Sequence, residues 1–194
     1  MKRRTLLLGL PLAIAGCGLN ERPYAEQREW PLLVRRPTVL PPRVGGKVLE
    51  VRELRAGPGL DSNGLQTLRA DGSIETAFYE QWAVPPAEGV EDSLRQWLAQ
   101  SGKFAAVVAP GTRAVVDIAL DGELTVLWND APANSARAAI AVTAVEMRTP
   151  ARNILLQRTF DASAPDAAAT PPAAVRAQLA ALADVFAQIE AALG

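Results

Sequence analysis

The chain of 194 residues has no histidine and one cysteine, and aromatic side chains make up only 5% of it. Without histidine it lacks the commonest general base, the usual partner of serine and cysteine nucleophiles, and the nitrogen ligand of most zinc sites. Cys17 by itself permits no intrachain disulfide, even in an oxidising compartment, so packing must hold the fold unaided. Lysine is nearly absent: beyond Lys2 only Lys47 and Lys103 occur, and neither has a serine at Ser-x-x-Lys spacing. No phosphate-cradling loop, dinucleotide-binding glycine motif or metal-ligand cluster is present, and the glycines fall in turns. Glu75, Glu80, Asp117, Asp121 and Glu123 could in principle supply a glycosidase pair, but they fall on the polar faces of expected strands, where solvation accounts for them. These gaps disfavour a hydrolase and most other enzyme classes. A non-enzymatic chain without metal or catalytic cofactor is the expectation.

What is present has the proportions of a globular domain. Apolar residues make up 49% and charged residues 21%, which argues against a disordered tail or a polytopic membrane protein. The length suits one domain plus a leader.

The leader is legible. Lys2, Arg3 and Arg4 form a positive region, and Leu6 to Ile14 an apolar stretch too short to span a bilayer. Ile14-Ala15-Gly16-Cys17 resembles the bacterial lipobox, in which two small residues admit the peptidase and the cysteine thiol becomes a thioether to diacylglycerol. Residues 1–16 are then a lipoprotein signal peptide. The resemblance further implies an amide-linked acyl chain on the new N-terminus; two or more chains anchor stably where one does not. Gly18, where an aspartate would signal inner-membrane retention, favours the periplasmic face of the outer membrane. Arg3-Arg4-Thr5-Leu6-Leu7 also partly resembles a twin-arginine signal, so the export route stays open between that and the general secretory one. Removing the leader leaves 17 basic against 21 acidic residues, a balance that gives no reason to expect nucleic acid.

Residues 17–46 carry Pro23, Pro31, Pro37, Pro41 and Pro42 and read as a Pro-rich tether, with Trp30 to Val34 able to dock as an edge strand. Residues 47–194 read as the domain. Lys47–Leu54 is a strand, and Ala70-Asp71-Gly72 joins Leu65–Arg69 to Ser73–Gln81 as a hairpin. Pro85-Pro86 opens a helix with Val90, Leu94, Trp97 and Leu98 on one stripe and Glu91–Arg95 as a solvent-side pair. Phe104–Val108 is a short strand. In Ala114–Trp128, Ile118, Leu120, Leu124, Val126 and Trp128 point one way, with Gly122 a bulge position; Ala138–Arg148 and Ile154–Phe160 complete a meander. After a small-residue loop over 162–169, Thr170 caps a final helix whose seam of Val175, Leu179, Leu182, Phe186, Ile189 and Leu193 packs on the sheet or, less simply, on a partner helix. Phe78, Tyr79 and Trp82 cluster where the hairpin meets the first helix. They belong mostly to the core, unless Tyr79 or Trp82 is exposed and meets a partner or lipid.

Several segments in order resemble the ABC-type transport auxiliary lipoprotein family. They are Trp30–Pro37, Val48–Val51, Ala56–Asp61, Gly64–Arg69 and Tyr79–Pro86 running into the Val90–Leu98 helix. The resemblance spans 30 to 189; Trp30 stands where the family often has tyrosine, and the Ala-rich region after Asp130 matches less well. The family includes paraquat-inducible protein C and the lipoprotein components of MCE-type lipid transporters. The resemblance implies an α/β fold, a mixed, largely antiparallel sheet packed by two main helices, like the anticodon-binding-like sandwich of the TolB N-terminal domain. It implies partners as well: an MCE-domain substrate-binding protein and an inner-membrane ABC permease and ATPase, moving phospholipid or other hydrophobic molecules. An outer-membrane assembly lipoprotein bracing a β-barrel is the rival reading. The lipidation site implied is Cys17, and the candidate partner-binding residues are Tyr79 and Trp82.

Overall fold

The structure is a computed structural model that describes residues 26–148, 152–166, 168 and 170–194. One eight-stranded mixed sheet carries both long helices on a single face. In chain order the elements are β1 (Arg28–Trp30), β2 (Val48–Ala56), β3 (Gly64–Leu68), β4 (Ile74–Trp82), α1 (Pro86–Ala99), β5 (Ala106–Val108), β6 (Ile118–Asp130), β7 (Ser135–Glu146), β8 (Ile154–Pro165) and α2 (Pro171–Leu193). The expected architecture is therefore observed.

The long strand β6 organises the sheet. One edge pairs antiparallel with β7 along its whole length, and β7 pairs antiparallel with β8, giving the expected meander. The other edge of β6 is shared. β2 runs parallel to it from Ile118 to Leu124, and β3 takes over at Asn129 and Asp130. The Gly57-Pro58-Gly59 break separates them. Gly57 donates to the Leu124 carbonyl at 2.8 Å, and a Cβ there would sit 2.6 Å from that oxygen, so only glycine admits this approach. Outboard, β5 pairs parallel with β2, β4 antiparallel with β3, and β1 parallel with β4.

Alternation explains which face is covered. Leu49 and Val51 on β2, Ile118, Leu120 and Leu124 on β6, Ile140, Val142 and Ala144 on β7, and Phe160 on β8 all point at the helices. From α1, Val90, Leu94, Trp97 and Leu98 meet them, as the stripe predicts; from α2, Val175, Leu182, Val185, Phe186 and Ile189 do. Trp97 and Phe186 join the helices edge to face at 5.8 Å between centroids. Each fully buried Leu, Ile or Phe contributes about 1.5–3 kcal/mol, and these side chains hold the fold together. The α2 seam packs on the sheet, not on a partner helix.

Four details differ from expectation. The bulge in β6 lies at Thr125, where the β6–β7 register skips one residue, and it reverses the strand's phase. Leu127 and Asn129 turn inward in place of Val126 and Trp128, and the Thr125 hydroxyl donates to the Ala139 carbonyl at 3.2 Å. Opposite Gly122 the extra residue belongs to β2, between Val51 and Leu54. Thr170 occupies the N-cap position of α2, but its side chain makes no capping bond, because Pro171 and Pro172 leave few first-turn N–H donors. The Glu91–Arg95 pair forms at 3.0 Å, yet Glu91 also accepts the Leu54 N–H at 3.1 Å, so it ties α1 to β2 and is not a purely solvent-side pair.

Candidate functional site

The part of the expected tether that lies from Gln27 onward is packed against the domain as a strap. β1 forms at Arg28–Trp30, slightly earlier than the expected Trp30–Val34, and lies at the sheet edge along β4, with Arg28 opposite Glu80 and Trp30 opposite Trp82. Leu32 and Val34 then enter the core at 3% and 7% exposure. The buried Ser93 hydroxyl on α1 joins them: it accepts the Val34 N–H at 3.2 Å and donates to the Leu32 carbonyl at 3.1 Å. Further along, Leu40 donates to the Gln100 carbonyl and Arg43 to that of Phe104, both at 2.9 Å. An alternating pair of leucine and valine on a Pro-containing segment was the signal for this docking, but the helix that receives it is set by tertiary structure alone.

Glu190, near the end of α2, locks the strap. Its carboxylate accepts both Nε and Nη2 of Arg36 at 3.1 Å and the indole N–H of Trp97 at 2.7 Å, while its backbone carbonyl accepts Lys103 Nζ at 2.8 Å. Bidentate, charge-assisted contacts of this kind are strong and orientation-specific. The carboxylate alone therefore ties the strap, α1 and α2 together. Nothing in the sequence marks Glu190: its partners lie 154 and 93 residues away.

At the outer end of the strap, the β3–β4 hairpin carries an exposed aromatic pair. Its turn is the expected one: Gly72 has φ of +84°, and the Asp71 carboxylate accepts the Ser73 N–H at 2.9 Å. Beyond the turn the register breaks. Between the pairs Gln66↔Thr76 and Gly64↔Gln81, β4 advances five residues while β3 advances two. The surplus over 77–80 bulges outward and puts Phe78 at 72% and Tyr79 at 48% exposure, their rings edge to face at 5.0 Å. Gly64 makes the bulge possible, since a Cβ on it would lie 2.3 Å from the Ala77 carbonyl oxygen.

Of the two side chains expected as partner contacts, Tyr79 is on the surface and Trp82 is not. Trp82 is 2% exposed and packs in the core, because the bulge ends at Gln81 and returns the strand to its inward phase. The aromatic exposed beside Tyr79 is Phe78. Regular alternation would send adjacent aromatics to opposite faces; the bulge suspends that alternation and exposes both, which no local pattern marked. Cys17, the expected lipidation site, lies outside the described residues.

The carboxylates considered for catalysis each have a cationic partner. Glu75 is bonded by Arg69, Glu80 accepts the Trp30 indole N–H at 2.7 Å and faces Arg28 at 3.5 Å, Asp121 faces Arg52 at 3.5 Å and Glu123 faces Arg55 at 3.1 Å. Asp117 is held below the usual carboxylate range, chiefly by the Val48 N–H at 2.7 Å and also by Arg148 at 3.1 Å. The last of these residues clamps the start of the β2–β6 pairing. Asp121 and Glu123 line a shallow trough of about 590 Å³ on the helix-free face of the sheet, among Glu53, Arg55, Thr143 and Gln157, a solvated polar surface. Among the described residues no group of histidine, cysteine or acidic side chains could hold a metal ion, and no helix is long and apolar enough to cross a membrane.

The model of the ABC-type transport auxiliary lipoprotein component matches residues 32–190, from the first buried leucine of the strap to the Glu190 lock. The chain belongs to the ABC-type transport auxiliary lipoprotein family. It is similar in fold to XCC0632 from Xanthomonas campestris, a DUF330 protein, with a TM-score of 0.63 and 24% identity over 81% of this chain and 87% of that one. The hypothetical protein CT253 from Chlamydia trachomatis is also similar, with a TM-score of 0.54 and 10% identity over 76% of this chain and 98% of that one. No curated protein matches the chain in sequence. Membership of the auxiliary lipoprotein family makes the chain an accessory component associated with an ABC-type transporter in the bacterial envelope, and suggests a non-enzymatic role.

Proposed function

We propose that this chain is the acylated subunit of an MCE/ABC-type system that moves phospholipid or another hydrophobic molecule between the envelope membranes. Cys17 carries the diacylglycerol and acyl chains, which hold the domain at the periplasmic face of the outer membrane. There it acts as a docking adaptor for the MCE-domain substrate-binding protein, whose transport is driven by an inner-membrane permease and ATPase. One observation carries this reading: a lipobox-like Ile14-Ala15-Gly16-Cys17 stands directly ahead of a fold that matches the auxiliary lipoprotein family over 32–190. The sequence contains no nucleotide-binding loop, consistent with energy supplied by a partner.

The test is radiolabelled palmitate incorporation into the wild-type chain and Cys17→Ser, followed by membrane fractionation and detergent co-purification. Label in the wild type alone, recovery with outer membrane, and an MCE protein with a permease and ATPase in the eluate are the expected results. A soluble wild-type product, or an eluate that holds a β-barrel without transporter components, overturns the reading.

A further inference from the structure

We propose that the exposed Phe78–Tyr79 bulge is a membrane-contact surface that lies in the lipid headgroup region and orients the domain on the bilayer. The inference rests on acylation of Cys17 and on where the strap begins. Because the chain is packed from Gln27 onward, only residues 17–26 separate the lipid from the domain edge. Ten residues, fully extended at about 3.3–3.6 Å each, span at most about 36 Å. A domain of this size is about 40 Å across. The far side of the domain therefore cannot turn to the bilayer, which leaves the edge where the chain enters and the flanks beside it within reach, and the aromatic pair selects among them.

That edge carries the aromatic pair. The Gln27 side-chain amide donates to the Gln81 side chain at 2.9 Å, and the Gln81 amide in turn donates to the Phe78 carbonyl at 2.9 Å, so two hydrogen bonds connect the entry point to the bulge. Tyr79 exposes an amphipathic ring of the kind enriched at membrane–water interfaces, and Phe78 beside it adds apolar surface that an interfacial contact buries. Charge does not provide the attraction. Glu26, Glu29, Glu75 and Glu80 outnumber Arg28 and Arg69 around the bulge, so ring insertion, not attraction to anionic headgroups, makes the contact.

The experiment uses the full acylated chain in phosphatidylcholine vesicles containing nitroxide-labelled lipid. With Cys17 acylated, an introduced cysteine is the only free thiol. A fluorophore is placed at Glu29→Cys, exposed on β1 opposite Gln81, or at Val115→Cys, 71% exposed outside the strap and hairpin. Several-fold stronger lipid quenching at position 29 than at 115, unchanged by salt and lost in the Phe78→Ser/Tyr79→Ser background, is the expected result. Equal quenching at the two positions, or a difference that survives loss of both rings, overturns the proposal. So does a position-29 label that nitroxide lipid leaves untouched but an added MCE protein shields from iodide, which would make the bulge a protein contact. Co-flotation with vesicles is read first: floating protein without the quenching difference refutes only the membrane contact, whereas protein that fails to float refutes the anchor and the contact with it.

Discussion

Replacing Glu190 by alanine removes the carboxylate that joins strap, α1 and α2. Arg36 loses two hydrogen bonds and Trp97 loses one. A hydrogen bond to a charged partner contributes about 1.5–3 kcal/mol, and severing a fully buried ion pair costs about 3–5 kcal/mol. The Arg36 and Glu190 side chains retain 14% and 13% exposure, so water reaches the orphaned groups in part. Screening then lowers the expected cost to about 2–3 kcal/mol. At about 2–4 °C per kcal/mol for a domain of this length, Tm falls by roughly 4–12 °C. Thermal and urea denaturation of the wild type, Arg36→Ala, Glu190→Ala and the double variant, in a form lacking the acyl chains, measure the coupling. A coupling of about 1 kcal/mol or more is expected, because the double variant leaves neither charge behind; additivity within about 0.5 kcal/mol refutes the lock.

Leu32→Ala should cost about 2–5 kcal/mol, and a chain beginning at Lys47 should be grossly destabilised, since Leu32 and Val34 are core residues; native-like cooperative unfolding of the shortened chain would show the strap to be dispensable. Gly64→Ala should lose about 1–3 kcal/mol, because the new methyl meets the Ala77 carbonyl and Thr76, and denaturation should show it while Gly45→Ala, where nothing lies near, loses only the cost of its positive φ. Asp117 has a lowered folded pKa, so its stabilisation is present above the unfolded value near 3.9 and fades as pH falls through the lower folded value. Asp117→Asn should therefore be less stable than wild type at pH 7, with the gap closing below about pH 4 in denaturation curves. Gln178 is fully buried on α2 with neither side-chain polar atom bonded among the described residues, so Gln178→Met should raise Tm; a lower Tm would mean that the amide has a partner.

Short-range chemistry made much of the fold readable. Asp71-Gly72 marks the hairpin because a turn needs positive φ there, and Pro85-Pro86 with the Val90–Leu98 stripe marks α1 because both signals are local. Alternation found β6, β7 and β8 but misplaced the inward side chains after Leu124. Period-two patterns carry no record of an inserted residue, so the bulge at Thr125 exchanged Val126 and Trp128 for Leu127 and Asn129. The same blindness made Trp82 a candidate contact beside Tyr79 and left Phe78 out, whereas Trp82 is in the core and Phe78 is exposed.

The sequence by itself determined most of the elements, the expectation of a leader ending at the lipobox-like Cys17, and the absence of any histidine, second cysteine or nucleotide-binding loop motif, since each depends on residue identity or on neighbours a few positions away. The tertiary structure decided that the Pro-rich segment from Gln27 is a strap and not free tether, that Glu190 locks it, and that Phe78 with Tyr79 stands at the chain's point of entry. Those outcomes depend on contacts across 50 to 154 residues. Such contacts form only where burial and hydrogen bonding outweigh the entropy of closing the intervening chain, and no local pattern encodes that balance.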